Sequence, residues 1–196
     1  MDLKSIGCPA DLLDRRAPLS AAGLTLGRIA SEHRDSYDVL TEHGQVVGRM
    51  SGRFRHRVRS PIDRPAVGDW VSMQVPEGGG PAILSEVLPR RNEFVRRATG
   101  IRTEAQMMAT NLDVVFVVSN QESPLSRQII ERYLALVQPL DVQAVVLLNK
   151  SELAGDPRRA VEELVQILPG IPVHAIRALG GQDAIEDGAT VVRRYL

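Results

Sequence analysis

Residues 113–152 read DVVFVVSNQESPLSRQIIERYLALVQPLDVQAVVLLNKSE, and this stretch decides the fold. Asp113 to Ser119 is a Val/Phe run and Ala144 to Leu148 repeats the pattern; unbroken apolar runs of this length suit strands covered on both faces. Between them Ser123 and Pro124 form an N-cap and first-turn pair, followed by Ile129, Ile130, Tyr133, Leu134 and Val137 at helical spacing. Strand, helix and strand in that order make a βαβ unit, so the two strands are expected to run parallel through a right-handed crossover.

Open parallel α/β sheets hold their ligands at the carboxyl ends of the strands. At the second such end stand Asn149, Lys150, Ser151 and Glu152. These four residues resemble the Asn-Lys-x-Asp guanine-recognition motif of GTPases. There the Asn ties neighbouring loops together, the Lys stem lies along the base plane, and the acidic residue accepts two hydrogen bonds from the guanine edge. A polar turn opening a loop is the other reading of the same residues. Beyond Glu152 a second crossover is expected: a helix from Asp156 and Pro157 with Val161, Leu164, Val165 and Leu168 on one side, ended by Gly170. A third strand over Pro172 to Ile176 follows, then a loop at Leu179 to Gly181 and a last amphipathic segment marked by Ile185, Ala189, Val192 and Leu196.

Upstream the periodicity changes. From about Leu24 to Val87 the segments LTLGRIA, YDVLTEH, QVVGRM, GRFRHRVR, DWVSMQV and AILSEVL are separated by glycine and polar residues, the spacing of a small antiparallel barrel of five or six strands. Within it Arg53, Arg55, Arg57 and Arg59 alternate with Phe54, His56 and Val58, which on a strand puts four guanidiniums on one face. That face reads either as an edge kept soluble by charge or as a phosphate-tracking surface of an OB-type barrel. Trp70, the single tryptophan, is expected to anchor the barrel core, and PEGGGP at Pro76 to Pro81 to form a turn. Arg90, Arg91, Arg96 and Arg97 lie in the segment between barrel and βαβ half and extend the same candidate RNA surface. Met1 to about Ala21 mixes charge and proline and reads as a loosely held arm.

Composition narrows the classes. The chain has 196 residues, 43% of them hydrophobic and 24% charged, which is ordinary for a globular protein with material for a core. Net charge is +0, which argues against a uniformly basic nucleic-acid binder, and lysine occurs only at Lys4 and Lys150, so the positive charge is arginine in local clusters. A single cysteine, Cys8, excludes an intrachain disulfide framework and a cysteine-based zinc site, and points to a cytosolic compartment. No membrane span or signal peptide is expected, since no stretch approaches about 18 uninterrupted apolar residues. The sequence shows neither a metal-ligand cluster nor a nucleophile paired with a base, so no catalytic residue is assigned.

Taken together these segments resemble the ribosome small subunit-dependent GTPase A family (RsgA, YjeQ), whose GTPase domain is circularly permuted. The matching elements are VGDWV at Val67 to Val71, LPRRN at Leu88 to Asn92, ATNLD at Ala109 to Asp113, ERYL at Glu131 to Leu134 and LLNKSEL at Leu147 to Leu153, in family order. The resemblance implies a β barrel plus α/β architecture: an arm over residues 1–22, an OB-fold RNA-binding barrel over 23–98, and over 99–196 a partial circularly permuted P-loop GTPase domain with three parallel strands. It implies a cytoplasmic factor acting late in small-subunit assembly, with the small ribosomal subunit and rRNA as partners and GTP/GDP as ligand. Guanine would be held by Asn149, Lys150 and Glu152, with Arg177 and Ala178 at the position of the family's Ser-Ala pair.

Three departures accompany it. The family's P-loop requires Gly-Lys followed by Ser or Thr, and here Lys4 follows Leu3 and Lys150 follows Asn149. The sequence ends at Leu196, about where the family's P-loop strand begins, so a truncated domain is expected, with magnesium and zinc sites confined to the full-length family. Such a chain is expected not to hydrolyse GTP alone and to self-associate through the uncovered edge of the Asp113 to Ser119 strand. Glu152 stands where the family has Asp, and Arg177 where it has Ser. The alternative reading is a non-catalytic RNA-binding or assembly module in which the βαβ half is only a scaffold.

Overall fold

The computed structural model describes residues 2–97, 105–120, 126–153, 156–177 and 186–196. The chain divides into two compact units, Met1–Leu112 and Asp113–Leu196.

The first unit opens with a 3-10 turn at Leu3–Ile6 and two short helices, α1 (Ala10–Asp14) and α2 (Arg16–Ala21). This corrects the expectation of a loosely held arm. Leu3, Cys8 and Leu12 are buried against Leu26, Trp70 and Leu88 at one end of the barrel. Arg28 fastens the segment by donating to the Ile6 carbonyl and lies 5.7 Å from the centre of the Trp70 ring. Three apolar side chains that meet a complementary surface outweigh the polar composition around them.

The barrel itself is closed and has the strand order β1-β2-β3-β5-β4, formed by β1 (Thr25–Glu32), β2 (Tyr37–Thr41), β3 (Gly44–Met50), β4 (Trp70–Gln74) and β5 (Ala82–Val87). All its pairings are antiparallel except β3 with β5, which is an OB-type arrangement. Alternate residues point inward, so Ile29, Val39, Val71, Met73 and Leu84 fill the interior at 1% exposure or less. Trp70 is fully buried, as the sequence suggested, but in the cluster with Leu3, Cys8 and Leu12 at the end of the barrel rather than in its interior.

The expected strand GRFRHRVR is instead a helix, α3 (Gly52–Arg57), set between β3 and β4. Ser51 is its N-cap, its hydroxyl accepting from the Phe54 N–H at 3.0 Å. Phe54 and Val58, four residues apart, pack on the barrel core while His56 is exposed. A strand would have turned Phe54, His56 and Val58 inward together; the i,i+4 pair fits a helix and keeps the imidazole in water. The basic junction after the barrel holds a hairpin, β6 (Glu93–Arg97) with β7 (Ala105–Thr110), belonging to the first unit.

The second unit is a four-stranded parallel sheet of order β11-β10-β9-β8, built from β8 (Val114–Asn120), β9 (Gln143–Asn149), β10 (Val173–Arg177) and the two-residue β11 (Glu186–Asp187). The three strands read from the sequence are present, and β11 adds a fourth. Helices α4 (Ser126–Val137) and α5 (Pro157–Ile167) share one face, where Val117, Ile130, Leu134, Val146, Leu148 and Leu164 are buried together. Helix α6 (Gly188–Arg193) brings Val191 onto Val145, Leu147 and Ile176 on the other. Burial of β9 from both sides explains its continuous apolar run. The Ser123–Pro124 pair, the Leu179 to Gly181 loop and Ile185 lie outside the described residues. Among the described residues no helix is long and apolar enough to cross a membrane.

Candidate functional site

At the carboxyl end of the second unit's sheet, Asn120 of β8 is in register with Asn149 of β9. Immediately after Asn149, Lys150 adopts φ +58°, a left-handed conformation that costs a non-glycine residue about 1–2 kcal/mol. Ser151 is fully buried and its hydroxyl donates to the Leu148 carbonyl at 2.6 Å, pinning the chain as it leaves the strand. A 3-10 turn over Ser151–Leu153 follows. The Asn149 Oδ1 atom is buried and has no hydrogen-bond partner among the described residues. An acceptor held dry and unsatisfied costs about 1–3 kcal/mol, so this atom suits a donor arriving from a neighbouring loop or a ligand. The left-handed Lys150 and the Asn149 oxygen without a partner among the described residues stand side by side at the end of β9. Arg177 closes β10 two residues after Ala175, the partner of Leu148 in the ladder. The sheet thus brings Asn149, Lys150 and Arg177 to one end; Ala178 and the Glu152 side chain lie outside the description. Asn120 was missed in the sequence, where its only signal is a polar residue ending an apolar strand.

Beside β10 the ring of His174 is held from both nitrogens: Nδ1 is 2.9 Å from Glu186 Oε1 and Nε2 is 2.7 Å from the Tyr195 hydroxyl. The Glu186 carboxylate is acceptor only, so Nδ1 carries the proton that joins them. The hydrogen bond from His174 pulls the Glu186 carboxyl below its ordinary 4.5, partial burial opposes this, and Arg194 adds to the lowering. A carboxyl depressed on folding contributes stability above its unfolded value, and that contribution is lost as pH falls through the folded one. The attachment of β11 and α6 is therefore expected to weaken below about pH 4.5. Protection of the residue 188–193 amides, measured relative to intrinsic exchange at each pH, should fall over that range, and Glu186→Gln should flatten the dependence.

The arginine set of the first unit does not form one face. On α3 Arg53 and Arg57 share a side at i,i+4, while Arg55 points about 200° around the axis. Arg57 lies over the Phe54 ring and donates to the Ser85 carbonyl at 2.6 Å. Arg53, Arg55 and Arg59 are exposed, as is Arg96, whereas Arg91 reaches the Asn111 carbonyl at 3.4 Å and the Arg97 side chain is not described.

Arg90 has a different role altogether. Its Nε and Nη2 grip Asp69 Oδ1 and Oδ2, each at 2.8 Å, and its remaining donors reach the carbonyls of Ile62 and Arg64 and the Glu93 carboxylate. Burial disfavours the charged guanidinium, but hydrogen bonds and charge from Asp69 and Glu93 outweigh it and raise its pKa. Asp69 also accepts from the Ala66 N–H and the Thr110 hydroxyl. Asn111 donates to the Gly68 carbonyl and accepts from the Arg91 N–H, and Asn92 exchanges two hydrogen bonds with the Leu112 backbone. The motifs VGDWV, LPRRN and ATNLD are therefore one buried polar lock joining the hairpin to the barrel. Gly68, at φ +94°, belongs to it: a Cβ there would stand 2.1 Å from the Thr110 carbonyl oxygen.

An OB-type barrel followed by a parallel α/β sheet with Asn-Lys at a strand's carboxyl end is the architecture of a barrel-bearing GTPase of permuted order. The family model described as RsgA GTPase matches residues 87–187, and the chain belongs to that family. Among curated relatives, the small ribosomal subunit biogenesis GTPase RsgA of Opitutus terrae is 35% identical over 189 residues, covering 92% of this chain and 52% of the relative. The protein of the same name from Streptomyces coelicolor is 32% identical, covering 97% of this chain and 53% of the relative. The chain thus spans about half the length of the curated relatives it matches. The crystal structure of YjeQ from Thermotoga maritima superposes with a TM-score of 0.61 at 26% identity, over 79% of this chain and 52% of that one. YloQ, a circularly permuted GTPase, shares the fold with a TM-score of 0.57 at 23% identity.

Proposed function

We propose that this chain acts in the cytoplasm in assembly of the small ribosomal subunit, supplying the rRNA-facing barrel and the guanine-reading end of an RsgA-type GTPase. The observation that carries the reading is the turn after β9, where a strained Lys150 adjoins an Asn149 whose buried oxygen lacks a partner among the described residues. Asn149, Lys150 and Glu152 read the base, with Arg177 and Ala178 beside it; the exposed arginines Arg53, Arg55, Arg59, Arg91 and Arg96, together with Arg97 of the same junction, meet RNA phosphates. Arg90 is withdrawn from that surface because all its donors are engaged, and Arg57 contributes only what its Ser85 bond leaves free. Sedimentation with purified small subunits tests this. The chain is expected to travel with the subunit at low salt and to dissociate as salt rises; remaining unbound at every salt concentration contradicts the reading.

The second reading, a module without catalysis, is favoured by one fact: no Gly-Lys-Ser or Gly-Lys-Thr occurs in these 196 residues. Phosphoryl transfer depends on positioning and charge stabilisation by P-loop amides, the loop's Lys and magnesium. The 196-residue chain is expected to release no phosphate from GTP above background, and turnover abolished by Lys150→Ala would overturn that expectation.

Among the described residues strand β8 is the edge of its sheet, and Val118 upon it is 57% exposed. An apolar edge with unpaired backbone groups recruits another strand. Light scattering is expected to give a mass that rises with concentration, and a constant monomer mass up to high concentration would count against self-association.

A further inference from the structure

On the rim of the barrel three separate segments converge on a cleft of about 230 Å³. Arg34 comes from the β1–β2 connection, Arg55 from α3, and Arg64 from the segment entering β4. Among the described residues no hydrogen bond or ion pair engages these three guanidiniums. Their backbones are nonetheless fixed: His33 N–H donates to the Ser36 carbonyl at 2.8 Å, Arg55 N–H to Ser51 at 2.9 Å, and the Arg64 carbonyl accepts from Arg90 at 2.9 Å. With Glu32 and Asp35 also in the lining, the three cations leave the cleft an excess of one positive charge, which an anion offsets.

The rest of the lining is not that of a bare anion site. Met50 and Val58 give it an apolar floor, and Tyr37 stands in it with its ring in the barrel core and its hydroxyl without a partner among the described residues. Burial pushes the Tyr37 phenol up, Glu32 adds to this, and Arg64 and Arg55 pull against it, which puts both guanidiniums in electrical reach of the hydroxyl. Glu32 and Asp35 add two carboxylates with no ion pair among the described residues. A free phosphate gains nothing from carboxylates or an apolar floor. A nucleotide uses all of it: phosphate on guanidinium, base on the apolar floor or stacked on an arginine plane, ribose hydroxyl or exocyclic amine on carboxylate. The volume lies below the roughly 300–1,000 Å³ of ordinary small-molecule pockets, which limits the occupant to about one such unit.

We propose that this cleft is a subsite for one unpaired nucleotide of an RNA strand, with Arg34, Arg55 and Arg64 on the phosphate and Glu32, Asp35 and Tyr37 on its sugar and base. The proposal rests on the RNA-facing reading of the barrel and adds Arg34, Arg64 and Tyr37, which the alternating-arginine pattern did not include.

Anisotropy of a labelled single-stranded oligoribonucleotide across a salt series tests it, with the matched duplex, inorganic phosphate and cytidine monophosphate as further arms. The Arg34→Gln/Arg55→Gln/Arg64→Gln variant is expected to bind the single strand at least about tenfold more weakly at low salt. Its log affinity against log salt should flatten by about 0.7, the value for one phosphate on a single strand. Tyr37→Phe, which keeps the core, should weaken binding severalfold without changing the slope, and Arg158→Gln in the second unit should change neither. Cytidine monophosphate should compete better than inorganic phosphate, and the duplex should not distinguish the triple variant from the parent. Parent and triple variant binding the single strand identically overturns the subsite while leaving the RNA-facing barrel standing. Equal competition by phosphate and nucleotide reduces the cleft to an anion site and overturns the nucleotide assignment. A parent that binds no RNA at any salt concentration overturns both.

Discussion

Asp69→Ala is expected to cost the first unit about 3–5 kcal/mol, the loss seen when one partner of a buried ion pair is removed. Asp69 is fully buried and the Arg90 side chain is only 11% exposed. Without the carboxylate, Arg90 keeps its charge but loses a bidentate partner, the Thr110 hydroxyl loses its closer acceptor and keeps only the Val67 carbonyl at 3.4 Å, and the Ala66 N–H loses its acceptor. Three consequences of one deletion place this substitution above any exposed arginine in effect. The physical cause can be separated from simple loss of packing by an Asp69→Leu/Arg90→Met pair, which removes both charges together. A buried ion pair replaced by apolar residues of similar size is often neutral in stability, so the double variant should recover much of the loss. Urea denaturation of the two variants checks this. An Asp69→Ala midpoint within about 0.5 kcal/mol of the parent, the range of ordinary surface substitutions, would show that the lock carries no stability.

Glu152→Asp is expected to strengthen guanine-nucleotide binding by about 1–3 kcal/mol, the range over which well-placed polar contacts discriminate. Glutamate carries the same charge as the family's aspartate with one more methylene, so its carboxylate must retract to make the same pair of hydrogen bonds with the guanine edge. The Ser151 hydroxyl pins the turn to the Leu148 carbonyl, so the shorter side chain is expected to alter reach and not the backbone. Calorimetry with GDP on both variants reads the effect. Equal affinities would reject the guanine reading of Asn149 to Glu152.

The βαβ half was legible because DVVFVVSN and AVVLL are the apolar runs of a parallel sheet's strands, although full burial on both faces holds only for β9, and on β8 Val117 is buried while Val118 is 57% exposed. The five-stranded barrel was legible from its spacing, and the burial of Trp70 from its place at a strand start after Gly68 and Asp69. Helix α3 was not: an alternation of arginine with other residues satisfies a strand and also a short helix, and the deciding signals were Ser51 three residues before Phe54 and the Phe54/Val58 spacing. Arg90 misled for another reason. In sequence it is one of a basic pair, and nothing local reveals that Asp69, 21 residues earlier, is waiting beneath it. The rim cleft was invisible for the same reason, since Arg34, Arg55 and Arg64 meet only when the barrel closes. Asn149 and Lys150 follow a buried strand, as read from the sequence, while the left-handed Lys150 and the Asn149 side-chain oxygen without a partner among the described residues appear only in the folded chain.

The most direct test of the account is a calorimetric titration of the parent chain with GDP and with ADP under identical conditions. Both ligands carry the same phosphates and ribose, so their difference reports on the base alone. The turn after β9 predicts that GDP binds more tightly than ADP by about fivefold or more, corresponding to at least 1 kcal/mol of discrimination by polar contacts to the base. The preference should shrink when Asn149 is replaced by Ala. Equal affinity for the two nucleotides would contradict the claim that Asn149, Lys150 and Glu152 form the guanine-reading end of this sheet.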